Sequence, residues 1–255
     1  MIDSHVHLLS ERYDEDREQL LKDLPGLGIT AAIEAGVDVA YCKEAQALCE
    51  RVPYLYFLAG IHPHDAADTK EDYLAELRTL TTDKKCVGIG EIGLDYYYEH
   101  SPRDIQMDRF DAQMALAEEL GLPVCIHSRD ATAPTLDMLK KYAGKVMGVM
   151  HCYSGSVESA KVYLNLGYYI SIAGPVTFKN AAKLPEVAKM VPVDRLLVET
   201  DCPYLAPVPK RGKRNQPDYV RYTMEYVAQL RDVSFEALEQ QTEENTKRLY
   251  QRMVD

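Results

Sequence analysis

The sequence lacks long apolar runs, paired cysteines and a leader-like start, and each absence argues against a class of protein. A membrane-spanning helix needs roughly 18 consecutive apolar residues, and no stretch of the 255-residue sequence approaches that length. The first ten residues have neither the basic region nor the apolar stretch of a secretory signal peptide. The six cysteines form no Cys-x-x-Cys pair and no dense framework, so we expect reduced thiols in a cytoplasmic protein.

Positive charge is also scarce in this chain. Its 29 Lys and Arg face 40 Asp and Glu, which gives a net charge of −11. This balance argues against an open basic groove that follows a nucleic-acid backbone. The apolar content of 46% is too high for disorder, and the length allows one large α/β domain or two ordinary ones. Because no linker or low-complexity segment divides the chain, we predict one domain over residues 1–255.

Eight short apolar runs recur along the chain, each followed by a polar turn and an amphipathic stretch. Their spacing of 22 to 37 residues fits one β-strand plus one helix, repeated eight times. The runs are continuous rather than alternating, as in parallel strands that are buried on both faces. This pattern predicts an α/β fold, a (β/α)8 TIM barrel with extra C-terminal helices at about 217–231 and 234–252; a doubly wound sheet is the competing architecture. The runs begin at Met1, Thr30, Tyr54, Cys86, Pro123, Val146, Tyr168 and Leu196.

Helix signals lie between the apolar runs. The clearest helix begins at Ser101-Pro102, a capping hydroxyl followed by a first-turn proline, and ends before Gly121. Residues 88–93 match the GxGxxG dinucleotide-binding pattern, but that mechanism needs a helix that opens directly on the glycine turn. The next helix signal is only at Ser101, so we interpret the match as a coincidence. Two further helices are predicted at 38–51 and 156–166.

Histidines concentrate at the carboxyl ends of the predicted strands. Six of the seven lie at or just past such an end, and only His100 falls in a loop. In a parallel barrel all of these ends open on one face, where the active sites of the fold are built. The six are His5, His7, His62, His64, His127 and His151.

Four of these histidines and two carboxylates have the pattern of a metal site. His5 and His7 are two residues apart on one strand, so their side chains point to the same side and can bind one ion. Imidazole and carboxylate ligands together suit Zn²⁺, Mn²⁺ or similar ions better than Ca²⁺, and six ligands suffice for two ions if a carboxylate bridges. Buried acids and imidazoles without partners are costly, which disfavours a purely structural role for all six. The candidate ligands are His5, His7, Glu91, His127, His151 and Asp201.

A cysteine or serine centre is the alternative at the same strand ends. Cys125, Cys152 and Cys202 each lie next to or near a candidate ligand, but strand alternation turns Cys152 and Cys202 away, and we interpret all three as packing residues. Ser128 follows His127, yet the GxSxG turn of a nucleophilic serine is absent. The residues therefore favour metal-activated water over a covalent nucleophile.

Seven motifs, spread from residue 3 to residue 217, together resemble the TatD family of metal-dependent deoxyribonucleases in the amidohydrolase superfamily. The HxH pair alone is shared by the whole superfamily, whereas the complete set is specific to the family. The superfamily often bridges its metals with a carboxylated lysine, and Glu91 occupies the corresponding strand end here. The motifs are DSHVHL (3–8), AGIHPHDA (59–66), GEIGLDYY (90–97), PVCIHSRDA (123–131), HCYSG (151–155), ETDCPYLAP (199–207) and RGKRNQP (211–217).

The resemblance implies a hydrolase with two divalent ions, Zn, Mn or Mg, in which a metal-activated water attacks the substrate. It implies that Glu91 bridges the two ions and that Asp201 accepts or orients the proton of the water, which makes these two the predicted catalytic residues. It also implies that His62 contacts the scissile phosphate. The first ion would be held by His5, His7, Glu91 and Asp201, and the second by Glu91, His127 and His151.

Residues near the mouth of the predicted site have more than one interpretation. Segment 210–214 places four cations just after the strand that carries Asp201. It is either a solvated loop or a phosphate clamp in which Arg211 binds the substrate. Four tyrosines, in a chain without tryptophan, either stack on bases or simply pack, and the roles of His64 and Arg129 stay open. The tyrosines are Tyr96, Tyr97, Tyr98 and Tyr153.

Three functions are compatible with these residues. The resemblance implies a deoxyribonuclease of the 3′–5′ exonuclease type that acts on DNA ends or short single-stranded nucleic acid. The same metals could instead hydrolyse an amide or ester, such as a cyclic amide or an aminoacyl-tRNA ester. A non-enzymatic interaction protein on a degenerate barrel would have lost ligands, whereas all six positions are filled here. We expect no membrane contact and no obligatory protein partner.

Overall fold

A computed structural model of the chain describes residues 1–253 and contains an eight-stranded parallel sheet. The strands follow one another in chain order, and every neighbouring pair is parallel. All predicted strand starts lie within two residues of the observed ones. The strands are β1 (Ile2–Val6), β2 (Ala31–Ala35), β3 (Leu55–Ala59), β4 (Cys86–Asp95), β5 (Val124–Arg129), β6 (Gly148–Met150), β7 (Tyr169–Ile172) and β8 (Leu196–Val198).

The ring of strands closes between β1 and the segment that follows β8. Val6 pairs with Cys202 in an isolated parallel bridge. The His7 amide donates a hydrogen bond to the Cys202 carbonyl oxygen over 2.8 Å. The sheet is therefore a nearly closed barrel that alternates with helices, and the predicted TIM-barrel fold is confirmed.

The helices alternate with the strands, and the two C-terminal helices have shorter limits than predicted. The stretch expected from 217 opens with a 3-10 turn at Pro217–Tyr219, and the last α-helix ends at Leu249 rather than at 252. Across residues 1–253, no helix has both the length and the apolar character needed to cross a membrane. The α-helices are α1 (Arg17–Asp23), α2 (Val39–Arg51), α3 (Tyr73–Leu80), α4 (Arg103–Leu120), α5 (Thr132–Lys141), α6 (Val157–Asn165), α7 (Leu184–Met190), α8 (Val220–Arg231) and α9 (Phe235–Leu249).

The start of α4 differs from the prediction in a way that affects the site. Pro102, not Ser101, is the residue before the first helical turn. The Ser101 hydroxyl instead donates to the His64 carbonyl oxygen at 2.8 Å and accepts from the Ala67 amide at 3.0 Å. It therefore ties the loop after β4 to the loop after β3. Gly121, with φ of 63°, ends the helix as predicted.

The interior of the barrel is filled with side chains, so the barrel is a packed core and not a channel. Each of β2 to β8 contributes one buried residue to this cluster, and the C-terminal segment adds two more from one end. The helices cover the outside of the sheet with a second, larger apolar cluster. The interior residues are Ile33, Leu58, Val87, Cys125, Val149, Tyr169, Leu197, Leu249 and Tyr250.

The GxGxxG segment lies inside β4, and the next α-helix begins only at Arg103. The absence of a helix on the glycine turn agrees with a coincidental match. Gly93 has φ of 137°, and a Cβ there would lie 2.0 Å from the His127 carbonyl oxygen. The glycine is therefore needed for the close approach of β4 to β5.

Candidate active site

On several strands, the side chains that point into the barrel are apolar along its interior and become polar at the mouth. Side chains two residues apart on a strand share a face, so the residue two positions after an interior one also points into the barrel. His5 on β1 and His7 just after it are related in the same way. The residues that follow the interior positions of β5, β6 and β8 by two are His127, His151 and Glu199.

Glu91, near the middle of β4, is the common contact of four candidate ligands. Its Oε2 lies 3.3 Å from His5 Nε2 and 3.6 Å from His7 Nε2. Its Oε1 lies 2.7 Å from His127 Nδ1 and 2.8 Å from His151 Nε2. The two oxygens of one buried carboxylate thus face two separate pairs of imidazoles.

Asp201 completes the group around the first histidine pair. Its Oδ1 lies 3.6 Å from His7 Nε2 and 3.9 Å from His5 Nε2. Its backbone is left-handed, with φ of 57°, and its amide donates to the His5 carbonyl oxygen. Asp3 fixes the same turn, because its carboxylate accepts hydrogen bonds from the amide and the hydroxyl of Thr200 at 2.9 and 2.6 Å. The structure therefore brings all six residues predicted as ligands to one place.

Three sets of side chains are compact enough to hold a cation. Within each set the donor atoms lie within 4.8 Å of one another. Each set combines imidazole nitrogen with carboxylate oxygen, the donor chemistry that zinc and manganese accept. The residues present therefore fit divalent metal ions. The sets are His5–His7–Asp201, His62–Glu91–His127 and His5–His151–Glu199.

The protonation of His62 separates it from the candidate ligands. Its Nε2 lies 3.4 Å from Glu91 Oε1. The backbone amide of His64 donates to His62 Nδ1 over 3.1 Å, so Nδ1 is the acceptor and the proton of the neutral ring is on Nε2. Burial lowers the pKa of His62 to about 4, which keeps the ring neutral at pH 7. In this state Nε2 is a hydrogen-bond donor that faces the cluster, so the set His62–Glu91–His127 would need a change of the His62 tautomer before it could hold an ion.

Burial and mutual contact set the charges of the cluster. Burial opposes ionisation of Glu91, but the surrounding histidines, His151 first, outweigh it and hold its pKa well below the usual range. Burial and the neighbouring His5 lower the pKa of His7 to about 3. Burial raises the pKa of Asp201 to about 6. At pH 7 the mouth therefore presents ionised carboxylates beside a neutral His7, whereas, against the effect of burial, the facing carboxylates raise the pKa values of His127 and His151, so a cation would compete with a proton for these two rings.

Two acids that the sequence reasoning missed hold the outer nitrogens of the histidines. Glu199 Oε1 lies 3.0 Å from His151 Nδ1, and Asp95 Oδ2 lies 3.1 Å from His127 Nε2 and 2.9 Å from His64 Nε2. Such carboxylates fix the orientation of a ligand ring and raise its basicity. Burial opposes the charge on His151, yet the facing carboxylates raise its pKa. In the sequence, both acids could have been found as carboxylates that interrupt or end an apolar strand run.

Glu34 on β2 is a third acid that the sequence reasoning missed. It too is a carboxylate within an apolar strand run. It is fully buried and accepts hydrogen bonds from the amides of Leu8 and Leu9, at 2.9 and 3.2 Å. The hydroxyl of Tyr41 donates to it as well. Glu34 therefore fixes the path of the chain immediately after His7.

Of the three cysteines near the ligands, Cys125 and Cys202 are buried, as predicted for packing residues, whereas Cys152 is half-buried. Burial raises the pKa of each thiol well above its usual value, so all three are protonated at pH 7. Cys125 Sγ lies 3.3 Å from His5 Nδ1, on the side of the ring away from Glu91. Its thiol contacts a candidate ligand without joining the donor sets. The others are Cys152 and Cys202.

A cavity of about 1000 Å³ opens above the cluster. The lining of this cavity includes His100, which the sequence places in a loop. The centroid of the His100 ring lies 4.6 Å from that of the His64 ring. The His100 ring also stacks on Tyr98, with 5.5 Å between the two centroids. Tyr98 is half exposed, whereas Tyr153 is buried. The tyrosines that follow β4 and β6 therefore have different roles.

The basic segment 210–214 does not line this cavity. The guanidinium of Arg211 lies over the ring of Phe178, 3.8 Å from its centroid. Arg214 binds Asp16 through two hydrogen bonds of 2.6 and 2.7 Å. A phosphate contact from Arg211 stays a prediction, and the arginines that do line the cavity are Arg12 and Arg129.

Comparison with known proteins agrees with the fold and with a metal-dependent hydrolase. The profile of the family described as TatD related DNase matches residues 2–251. The chain is 43% identical to the uncharacterized metal-dependent hydrolase YabD of Bacillus subtilis, over 98% of each chain. It is 36% identical to the 3′-5′ ssDNA/RNA exonuclease TatD of Erwinia billingiae, again over 98% of each chain.

Among solved structures, the chain superposes on the TatD homolog YjjV from Escherichia coli with a TM-score of 0.92 and 28% identity over 98% of each chain. A barrel whose mouth carries a buried histidine–carboxylate cluster, in a chain similar to metal-dependent hydrolases, defines a metal-dependent hydrolase. The chain belongs to the TatD family.

Proposed function

We propose that this hydrolase is a phosphodiesterase that removes nucleotides from the 3′ ends of single-stranded nucleic acid. A relative that is 36% identical over nearly the whole chain carries the name 3′-5′ ssDNA/RNA exonuclease. The observation on which the proposal rests is the position of Glu91, whose two oxygens face two pairs of imidazoles. A two-ion site suits phosphodiester hydrolysis because it can stabilise both the attacking and the leaving oxygen.

On this proposal Glu91 would be a ligand of two divalent ions, of zinc, manganese or magnesium. Bound ions supply Lewis acidity, which lowers the pKa of a water and neutralises phosphate oxygens. The first ion would be held by His5, His7, Glu91 and Asp201, and the second by Glu91, His127 and His151.

Asp201 and His62 act on opposite sides of Glu91 in this proposal. The Asp201 carboxylate, beside His7, accepts or orients the proton of the attacking water. His62 directs an N–H group toward the cluster from the other side, and this group donates to a phosphate oxygen or to the leaving oxygen. Because its pKa is low, His62 acts as a neutral donor and not as a positive charge.

Chelation and two substitutions test the proposal. We expect nuclease activity on a single-stranded oligonucleotide to disappear with a chelator and to return with Mn²⁺. We expect Glu91→Ala and Asp201→Asn to remove it, because the first deletes the shared ligand and the second deletes the proton acceptor. A matched control is Glu186→Ala, which changes an acid on the outer helix α7. Full nuclease activity in Glu91→Ala would contradict the proposal.

A substrate panel separates the exonuclease from an amide or ester hydrolase. A 3′-blocked strand should resist the enzyme, whereas a 5′-blocked strand should be degraded. Turnover of a nucleic acid should also weaken steeply as salt rises, whereas a neutral amide should be insensitive to salt. Turnover of cyclic amides or aminoacyl esters without any nuclease activity would assign the site to the alternative function.

A further inference from the structure

Two arginine–tyrosine pairs line the cavity above the cluster. The guanidinium of Arg129 lies 4.6 Å from the ring centroid of Tyr98 and 4.1 Å from that of Tyr97. The guanidinium of Arg12 lies 5.2 Å from the ring centroid of Tyr204. Tyr97 is 57% exposed, Tyr98 is 51% exposed and Tyr204 is 46% exposed, so each of the three presents ring surface to solvent.

The two pairs stand on opposite sides of the mouth. Arg129 ends β5 and Tyr98 follows β4, whereas Arg12 follows β1 and Tyr204 follows β8. In a ring of eight strands in chain order, the β4–β5 side lies across from the β8–β1 side. The carboxylate of Glu91 lies between them, since it contacts histidines from both sides.

Both guanidinium groups are available to an anion. Within residues 1–253, neither Arg12 nor Arg129 makes a side-chain hydrogen bond or an ion pair with the protein, and both are exposed. Arg214, in contrast, is held by Asp16 at 2.6 and 2.7 Å. An exposed arginine that stacks on an aromatic ring and has no carboxylate partner keeps its planar donor edge free for phosphate.

Acidic side chains restrict the path of a polyanion through the mouth. Glu44, on α2 after β2, and Asp65, after β3, also line the cavity. Their charges repel phosphate on the β2–β3 side. Glu11 also lines the cavity, on the β8–β1 side, but Arg12 beside it supplies a positive charge there, whereas no lysine or arginine among the described residues lines the β2–β3 side. The path with positive charge at both ends therefore crosses the cluster from the β4–β5 side to the β8–β1 side.

We propose that the Arg129–Tyr98 and Arg12–Tyr204 pairs form a two-sided clamp for the end of a nucleic-acid strand. One nucleotide is held on each side of the scissile phosphate, with its base on a tyrosine ring and a flanking phosphate on an arginine. This inference rests on the proposed function and specifies its substrate: at least two nucleotides, of any base, because stacking does not read base edges. A small amide or ester would need only one side.

Binding of a cleavage-resistant strand tests the clamp directly. The probe is a fluorescein-labelled thymidine tetramer with phosphorothioate linkages, added to Mn²⁺-loaded protein and followed by fluorescence anisotropy. We expect Tyr98→Leu and Tyr204→Leu each to raise the Kd about tenfold, the loss that one base–aromatic stack produces. Tyr98→Phe and Tyr204→Phe keep the ring and should recover most of the affinity.

The arginines have a separate signature in the salt dependence of binding. Each phosphate contact to a single strand contributes about 0.7 to the slope of log Kd against log salt. Arg12→Gln and Arg129→Gln should each lower the slope by about that amount. The matched control is Arg195→Gln. Arg195 directly precedes β8 at the other end of the barrel, and its guanidinium lies 5.1 Å from the ring centroid of Tyr169, so its loss should leave the slope unchanged.

The outcomes distinguish the clamp from the proposed function. If the wild-type protein degrades oligonucleotides but the Leu variants bind the tetramer as tightly as it does, the clamp is wrong and the exonuclease stands. A loss from only one tyrosine would overturn the two-sided arrangement. If the wild-type protein neither binds nor degrades any strand, the proposed function itself fails.

Discussion

Two of the candidate ligand histidines that contact Glu91 turn one ring nitrogen inward and have the other nitrogen held by a second carboxylate. His127 directs Nδ1 to Glu91 and Nε2 to Asp95. His151 does the reverse, with Nε2 on Glu91 and Nδ1 on Glu199. The outer carboxylates therefore decide which nitrogen faces the mouth, and with it the geometry of the donor sets.

Replacing one outer carboxylate should weaken metal binding without touching a ligand. We expect Asp95→Asn to lower metal affinity by about 10- to 100-fold, because His127 and His64 lose the charge that orients them. Titration of the metal-free protein against a chromophoric chelator measures this. Asp137→Asn, at an exposed position on α5 that pairs with Lys140, is the control. An affinity in Asp95→Asn equal to wild type would contradict the orienting role.

Sequence reasoning reached the six candidate ligands but not their supporting residues. The candidates were visible because a polar residue that ends an apolar strand is unusual and the barrel places all strand ends on one face. Glu199 and Asp95 act through contacts between different strands, which spacing within one strand does not encode. The contacts of segment 210–214 could not be predicted either, because a run of cations in the sequence does not indicate which side chains will lie beside it in the folded protein.

The elements themselves were predictable because each strand is a short, continuous apolar run between turn residues. Helix caps were predicted where the cap bonds locally: the Asp38 side chain accepts from the Tyr41 amide, and that of Ser156 accepts from the Ser159 amide. Ser101 failed as a cap because its hydroxyl bonds to a distant loop instead. Local chemistry is therefore reliable only until a tertiary partner competes for the same group.

The approach of β4 to β5 gives a prediction at the scale of elements. Gly93→Ala would place a Cβ 2.0 Å from the His127 carbonyl oxygen, at a backbone conformation with φ of 137°. We expect a loss of about 2–5 kcal/mol in the free energy of unfolding, from strain and steric overlap together. Urea unfolding followed by circular dichroism measures the loss.

The matched control for that substitution is Gly26→Ala. A Cβ at Gly26 meets no atom within 4 Å, so we expect a change within about 0.5 kcal/mol. Equal stability of Gly93→Ala and wild type would mean that β4 and β5 can separate without cost.

The whole molecule has two different ends. The mouth carries the cluster, while α9 and the residues after it pack against the opposite end of the barrel, where Arg252 donates to the carbonyl oxygens of Thr81 and Cys86. The amino group of Met1 lies 2.9 Å from Glu239 on α9. The start and the last helix of the chain are thus joined, which supports the proposal that residues 1–255 behave as one domain.

Because the two ends are separate, we expect the end that packs against α9 to contribute to the stability of the protein and not to its catalytic activity. Leu249 is 1% exposed in the barrel interior, and Leu249→Ala should cost about 2–5 kcal/mol of unfolding free energy by leaving a cavity. Leu27→Ala, at a residue that is 44% exposed, should cost less than about 0.5 kcal/mol. Urea unfolding checks both values, and kcat on an oligonucleotide at 25 °C should stay within about twofold of wild type. A tenfold fall in kcat for Leu249→Ala would show that the two ends are coupled.

The single bridge between Val6 and Cys202 makes the ring weakest where β1 meets the segment after β8. His5 and Asp201 stand on the two sides of that seam, and Glu91 faces them from across the mouth. An ion that these three side chains would hold is therefore a clasp across a seam that the backbone joins through two hydrogen bonds, from His7 to Cys202 and from Asp201 to His5. On the proposed function, we expect removal of such an ion to loosen the barrel at the seam as well as to stop hydrolysis, which would make the metal an architectural part of the molecule and not only a reagent.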